Sequence, residues 1–160
     1  MPEINTTRTK QLALKYRNGP EKALLNAWLW KDHKDSVQWR NVRLGPMPTK
    51  ELAAAYKVLM RFADAIYLED GTVYIVEAKV RPQPGAIGQL ELYKQLFKET
   101  PEFSQYKLWP IKLVLLTSTV DLQIAEFASN KEIKIVVFTE DDVNEVRQEL
   151  RLPMVTFDEI

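Results

Sequence analysis

The stretch RFADAIYLEDGTVYIVEAKV, residues 61–80, decides how the chain is read. Two β-rich runs, Phe62–Leu68 and Thr72–Val80, flank Glu69-Asp70-Gly71. An Asp-Gly pair between such runs is a strong hairpin signal, usually a two-residue type I′ turn. With Asp70 and Gly71 in the loop, Glu69 pairs with Thr72, Leu68 with Val73, Ile66 with Ile75, and Asp64 with Glu77. Directly opposite residues share a face, with Cβ atoms about 4.5–5.5 Å apart. Lys79, two residues past Glu77, joins that face. The hairpin therefore sets Asp64, Glu77 and Lys79 at one end of a face otherwise made of Ile66, Leu68, Val73 and Ile75. Like charges directly opposite destabilise a sheet, and buried charges need partners. A divalent cation between the two carboxylates resolves the conflict, since hard cations such as Mg²⁺ take carboxylates, water and substrate phosphate as ligands. Lys79 then stands where it can neutralise a phosphate oxygen or orient water. The plainer alternative is a solvated salt-bridge cluster at a sheet edge.

Pro82-Gln83-Pro84-Gly85 breaks the chain after the second strand, and a helix is expected over 86–99. On it Gln89 and Tyr93 stand at i and i+4, with Leu96 and Phe97 continuing the stripe. Gln89 is thus expected on the apolar, sheet-facing side near Lys79, where a buried amide needs hydrogen-bond partners such as water or phosphate.

In this order — Asp64, then Glu77-Ala78-Lys79, then Gln89-Leu90-Glu91-Leu92-Tyr93 — the chain resembles the PD-(D/E)XK nuclease superfamily. The last element looks like the Q-x-x-x-Y helix of the RecB-type branch. Ala63 stands where the eponymous Pro would be, and Ala65 and Ile66 follow the Asp in place of the charged residues some RecB-type members carry. The resemblance implies a restriction-endonuclease-like α/β sandwich, a mixed central β-sheet flanked by helices. It implies Mg²⁺ or Mn²⁺ held by Asp64, Glu77 and the Ala78 main-chain carbonyl. Lys79 and Gln89 would complete the catalytic set and Tyr93 would fix the helix or touch substrate. Many members add an acid from the first core helix; Glu21 is that position here and Glu51 a second candidate. The simpler role for Glu21 is to complement its helix dipole.

Composition narrows the chemistry. The 160 residues suffice for one domain with a real core, and 46% are hydrophobic. Zero Cys excludes disulfides and thiolate sites, and a single His leaves no His-based zinc site. No 18-residue apolar run suggests a membrane span. The polar start, Met1 to Thr9, shows no signal peptide, so the expected compartment is the cytoplasm. Net charge is zero, which argues against a strong non-specific nucleic-acid binder. Its distribution is uneven: residues 1–43 carry nine Lys/Arg against four acids, and residues 99–160 six against twelve. A basic N-terminal part could track a phosphate backbone.

The remaining elements follow from local signals. Residues 6–17 read as a basic helix or arm within 1–19. Pro20 opens a helix to about Lys31, with Leu24, Leu25, Trp28 and Leu29 as its stripe. His33 lies in a polar loop and is expected at the surface. Val37 to Leu44 alternates as a strand; on it Arg40 and Arg43, and Arg61 at the start of the next strand, are the cations placed to reach phosphates. Thr49 caps a helix to about Met60. Phe103 to Trp109 is a connector whose Tyr106 and Trp109 are expected to pack. A buried strand follows over Pro110–Thr117, then a helix starting at Thr119 or Asp121 and ending near Asn130. Ile133–Phe138 is expected as a second buried strand and Glu140–Leu150 as a helix, with 151–160 as a tail. The whole reads as one domain over 1–160.

The leading expectation is a metal-dependent nuclease acting on DNA, working alone, as a homodimer or inside a larger DNA-processing complex. A small stand-alone nuclease of this kind would suit a virus or mobile element. A rival of another class is a nuclease-fold subunit that binds nucleic acid or assembles without cutting. Metal-dependent stabilisation discriminates them. A small-molecule hydrolase lacks support, as no nucleophile elbow, Cys–His pair or cofactor fingerprint is present.

Overall fold

The computed structural model describes residues 19–47, 49 and 60–157. The expected arm over 6–17, the body of the helix over 49–60 with Glu51, and the end of the tail lie outside them. The described elements are helix α1 (Pro20–His33), strands β1 (Val37–Leu44), β2 (Arg61–Glu69) and β3 (Thr72–Lys79), helix α2 (Pro84–Phe97), a 3₁₀ turn (Pro101–Tyr106), strand β4 (Ile111–Thr117), helix α3 (Leu122–Asn130), strand β5 (Ile133–Val137) and helix α4 (Glu140–Glu149). Pro20 and Pro84 stand in the first turns of α1 and α2, where a missing N–H costs nothing. Asp121 caps α3 by accepting from the Gln123 and Ile124 amides, and Thr139 with Asp142 forms a capping box on α4.

The five strands lie in chain order, β1-β2-β3-β4-β5. β1, β2 and β3 form an antiparallel meander; β4 and β5 then pair in parallel after the α2 and α3 crossovers. This is an α/β fold with a mixed sheet flanked by helices. The hairpin register matches the sequence reading: Glu69 opposes Thr72, Leu68 opposes Val73 and Ile66 opposes Ile75. Asp70 and Gly71 both have positive φ, 50° and 70°, as a type I′ turn requires. Next to the turn the cross-strand pair Tyr67 and Tyr74 stacks at 4.6 Å.

Two apolar cores pack against the sheet. One joins Leu24, Leu25, Trp28 and Leu29 of α1 to Val143 and Val146 of α4 over Tyr67, Val76 and Val114. The other sets Ile87, Leu90, Tyr93 and Phe97 of α2 on Ile66, Val73, Ile75 and Leu115. The tail closes the first core. Phe157 is buried there, and the Asn144 side chain holds Val155 by donating to its carbonyl and accepting from its amide, at 2.9 and 2.8 Å.

Three local expectations change. β1 does not alternate throughout: Trp39 packs with the α2 core, but so do Val42 and Leu44, because Asn41 adopts φ 50° and shifts the pattern by one residue. β5 is an edge strand rather than a buried one, with Lys134 and Val137 exposed. His33 is not a surface residue. Its ring sits 4.7 Å from Trp28 and 4.4 Å from Tyr67, and its Nδ1 is 2.7 Å from Glu69. Ser36 donates to the same Glu69 oxygen at 2.8 Å, tying the end of α1 to the hairpin.

Candidate active site

The site forms where β2 peels away from β3. Their pairing register runs from the turn to Ala65 opposite Val76. One residue further, the Asp64 carboxylate accepts the Ala78 amide at 2.8 Å. A β3 amide is thus satisfied by a side chain, which fixes the Asp64 carboxylate against the strand carrying Glu77 and Lys79. Asp64 and Glu77, expected as directly opposite residues, lie beyond the last paired residues of the ladder and are close through their side chains.

Glu77 is the unusual group. It is only 5% exposed, its Oε2 is buried with no hydrogen-bond partner, and its Oε1 lies 3.8 Å from the Lys79 ammonium. Burial, and then the Asp64 charge, push its pKa up to about 8. Burial also raises Asp64, with Glu21 adding to the rise, while the Ala78 amide and Lys79 oppose it. Two adjacent carboxyls in this setting do not both ionise readily. In the isolated chain a proton shared by this pair is favoured over two negative charges.

Tyr93 reaches the pair from α2. It is buried, and its hydroxyl is pushed up to about 12 by burial and by the nearby Glu77 and Asp64 charges, with Arg61 opposing. So the fold assembles Asp64, Glu77, Lys79, Tyr93 and Arg61 from β2, β3 and α2. Glu21, at the start of α1, is close enough to be felt at Asp64.

Gln89 departs from expectation. It is exposed, while Ala86, Ile87, Leu90, Tyr93 and Phe97 form the buried stripe of α2. At about 100° per residue, Gln89 falls at the margin of that stripe. The i, i+4 relation to Tyr93 held, but the stripe is centred one position over. The two β1 arginines are also engaged elsewhere. Arg43 makes a bidentate pair with Glu102 at 2.9 and 3.0 Å and donates to the Gly45 and Pro46 carbonyls. Arg40 donates to Asn26 and Gln38.

The donor set suits a hard cation. The available ligands are oxygens: the Asp64 carboxylate and Glu77, whose buried Oε2 has no donor among the described residues around it once the proton shared with Asp64 is lost. Among the described residues no three His, Cys, Asp or Glu side chains cluster as a ready cage. Two carboxylates with remaining positions open to water and phosphate is a Mg²⁺ pattern rather than a Ca²⁺ or Zn²⁺ one. Among the described residues no helix is long and apolar enough to cross a membrane.

No protein-family model and no curated protein matches the chain. Three solved structures resemble it. A repair endonuclease from Pyrococcus abyssi is 11% identical with a TM-score of 0.48, covering 74% of this chain and 46% of that one. A protein of unknown function, AF1548, is 14% identical with a TM-score of 0.49, over 79% and 65% of the two chains. EndoMS in complex with double-stranded DNA is 12% identical with a TM-score of 0.42, over 73% and 44%. The chain thus spans less than two thirds of the length of each.

Proposed function

We propose that this protein is a metal-dependent nuclease of the PD-(D/E)XK type that hydrolyses phosphodiester bonds in DNA. The observation behind this is Glu77: a buried carboxyl with an unpartnered oxygen, beside Asp64 and 3.8 Å from a lysine, at the open end of a hairpin. No packing demand calls for that group, and each member costs stability where it stands.

Asp64, Glu77 and the Ala78 carbonyl would hold Mg²⁺ or Mn²⁺; Glu21 does not cluster with the two carboxylates and would act only through its charge. The ion would supply Lewis-acid polarisation of the phosphate and a more acidic water. Losing its proton lets Glu77 act as a ligand, so binding and deprotonation are linked. The Ala78 amide keeps the Asp64 carboxylate aimed. The Lys79 ammonium, 26% exposed at its side chain, lies within reach of both the carboxylates and solvent. It would counter charge growing on the phosphate oxygens. The Tyr93 hydroxyl would bind a phosphate oxygen or the Glu77 carboxylate. Gln89, exposed on the same helix, would meet substrate or water from the solvent side. Arg61 is the exposed cation nearest Tyr93 and would steer the strand.

The test is incubation of linear, nicked, branched and single-stranded DNA with the protein in Mn²⁺, Mg²⁺ or EDTA. Products that require metal support the reading; no products on any substrate remove it. The zero net charge favours the non-cutting subunit as the second reading, and that protein would bind DNA in the same samples without cutting it.

A further inference from the structure

Resting on the nuclease reading for the identity of the strand, we infer that a cleft along β1 receives one unstacked nucleobase next to the phosphate being cut. The cleft measures about 340 Å³, and its walls include Trp39, Asn41, Val42, Phe103 and Tyr106. That is the lower end of the roughly 300–1,000 Å³ of small-molecule sites.

Its position follows from register. Arg40 opposes Ala65 and Val42 opposes Ala63, so Asn41 and Asp64 lie between the same two pairs of the two strands. Neighbouring strands lie about 4.8 Å apart, and two residues along a strand span about 7 Å. The cleft therefore begins one strand spacing from the Asp64 backbone and reaches Trp39 a little further on. Among the described residues β1 is the edge strand of the sheet.

Its chemistry is that of a base site. Trp39 and Tyr106 are half-buried, and each is in contact with a further aromatic ring. Trp39 meets the buried Phe103 edge-on at 5.0 Å, and Tyr106 meets Trp109 at 5.0 Å. Rings held in this way offer π faces without an ordering cost on binding. The exposed amides of Asn41 and Gln105 at the rim can donate to and accept from base edges. Arg40 also lines the cleft, but its guanidinium is held toward α1 by Asn26 and by Gln38, at 3.1 and 2.7 Å. Arg43 instead spends its charge on Glu102 and shapes the wall. A cleft of about 340 Å³ with aromatic walls has room for a base taken out of its stack. Asn41 itself is matched to the place: φ 50° is a conformation that Asn tolerates better than most residues.

The experiment is fluorescence anisotropy with a labelled single-stranded DNA, intact or carrying one abasic position at a time, in EDTA. The protein is the full chain bearing Glu77→Gln, which prevents cutting, alone or with Trp39→Leu or Asn41→Gly. One position should lose about 5- to 100-fold in affinity when its base is removed. Trp39→Leu should lose as much with intact DNA and nothing further with that abasic DNA. Asn41→Gly accepts the same φ and so keeps the fold; it should weaken the intact DNA about threefold or more. Equal affinity at every position, additive losses, or no binding would overturn the inference. Metal-dependent cutting is scored separately with the unmodified protein. A base-specific loss without cutting would retire the nuclease reading and leave the cleft, whereas cutting with no base-specific loss would do the reverse.

Discussion

Replacing Glu77 by Gln should stabilise the metal-free protein, by an amount that depends on pH. The folded state raises the Glu77 pKa from 4.5 to about 8, chiefly through burial. A raised carboxyl means that the folded protein holds the proton more tightly than the unfolded chain does. The stability contributed by that proton is full below pH 4.5 and is lost as pH climbs through about 8. The gap, at about 1.4 kcal/mol per pH unit, sets a ceiling on the order of 5 kcal/mol by pH 9. Coupling to Asp64 and the nearby Lys79 bring the net figure nearer to 2–4 kcal/mol, an order-of-magnitude value. Gln keeps the shape and never ionises, so it escapes this loss. At about 2–4 °C per kcal/mol for a chain of this size, the variant should melt roughly 10 °C above wild type at pH 9. The two should nearly coincide at pH 5. The assay is thermal denaturation followed by circular dichroism, in EDTA, from pH 5 to 9. Parallel melting curves across that range, or a variant that melts lower at pH 9, would refute the placement of a buried, proton-holding carboxyl in the sheet. Manganese at 100 times its Kd should add about 2.7 kcal/mol to wild type at pH 7.5, and little to the variant.

Asn144→Ala removes both bonds to Val155 and should cost about 2–3 kcal/mol, read as a lower Tm with faster proteolysis after residue 150. Gln89→Ala, exposed on α2, should leave stability within about 0.5 kcal/mol of wild type, so any effect on cutting reports function alone. Glu69→Ala strips both His33 and Ser36 of their partner and should lower stability by about 1–3 kcal/mol; DNA cutting by the folded fraction should not change, since this cluster lies at the other end of the hairpin. Tyr93→Phe removes the hydroxyl beside Glu77 and should lower cutting about tenfold or more, with the Tm within about 3 °C of wild type.

Much of this arrangement was legible in the hairpin. The Asp-Gly turn fixed the register from Glu69–Thr72 to Ala65–Val76; beyond it strict alternation ends, since Ala65 joins the α1 core and Ala63 the α2 core, and Asp64 meets the β3 strand through its side chain. Other helix starts were equally local, written in Pro20, in Thr119 or Asp121, and in Thr139; Pro84, expected within a break before a helix over 86–99, instead opens the helix, which runs to Phe97. What escaped is non-local. Gln89 sits at the margin of the α2 stripe, and a shift of one position in the helix's docking decides whether it is buried. Arg43 meets Glu102, 59 residues away, and no spacing rule reaches that far. His33 finds Glu69 across 36 residues, and its surroundings of Trp28 and Tyr67 come from two different elements. A hint was available there, since α1's apolar stripe continues toward its C-terminal turn. The positive φ of Asn41 was hidden too, because Asn in a strand gives only a weak signal of a break in alternation.

Lys79 offers the most direct test of the central claim, because it adjoins the carboxylates without being needed to hold an ion. Wild type and Lys79→Ala should be compared on the same DNA panel in Mn²⁺, with a melting curve for each. The account predicts metal-dependent cutting by wild type and a loss of at least about a hundredfold in the variant, while manganese still raises the variant's Tm. Equal cutting by both would place the chemistry elsewhere. No cutting by wild type, with no manganese-dependent rise in Tm, would contradict a nuclease and leave a fold that binds or assembles.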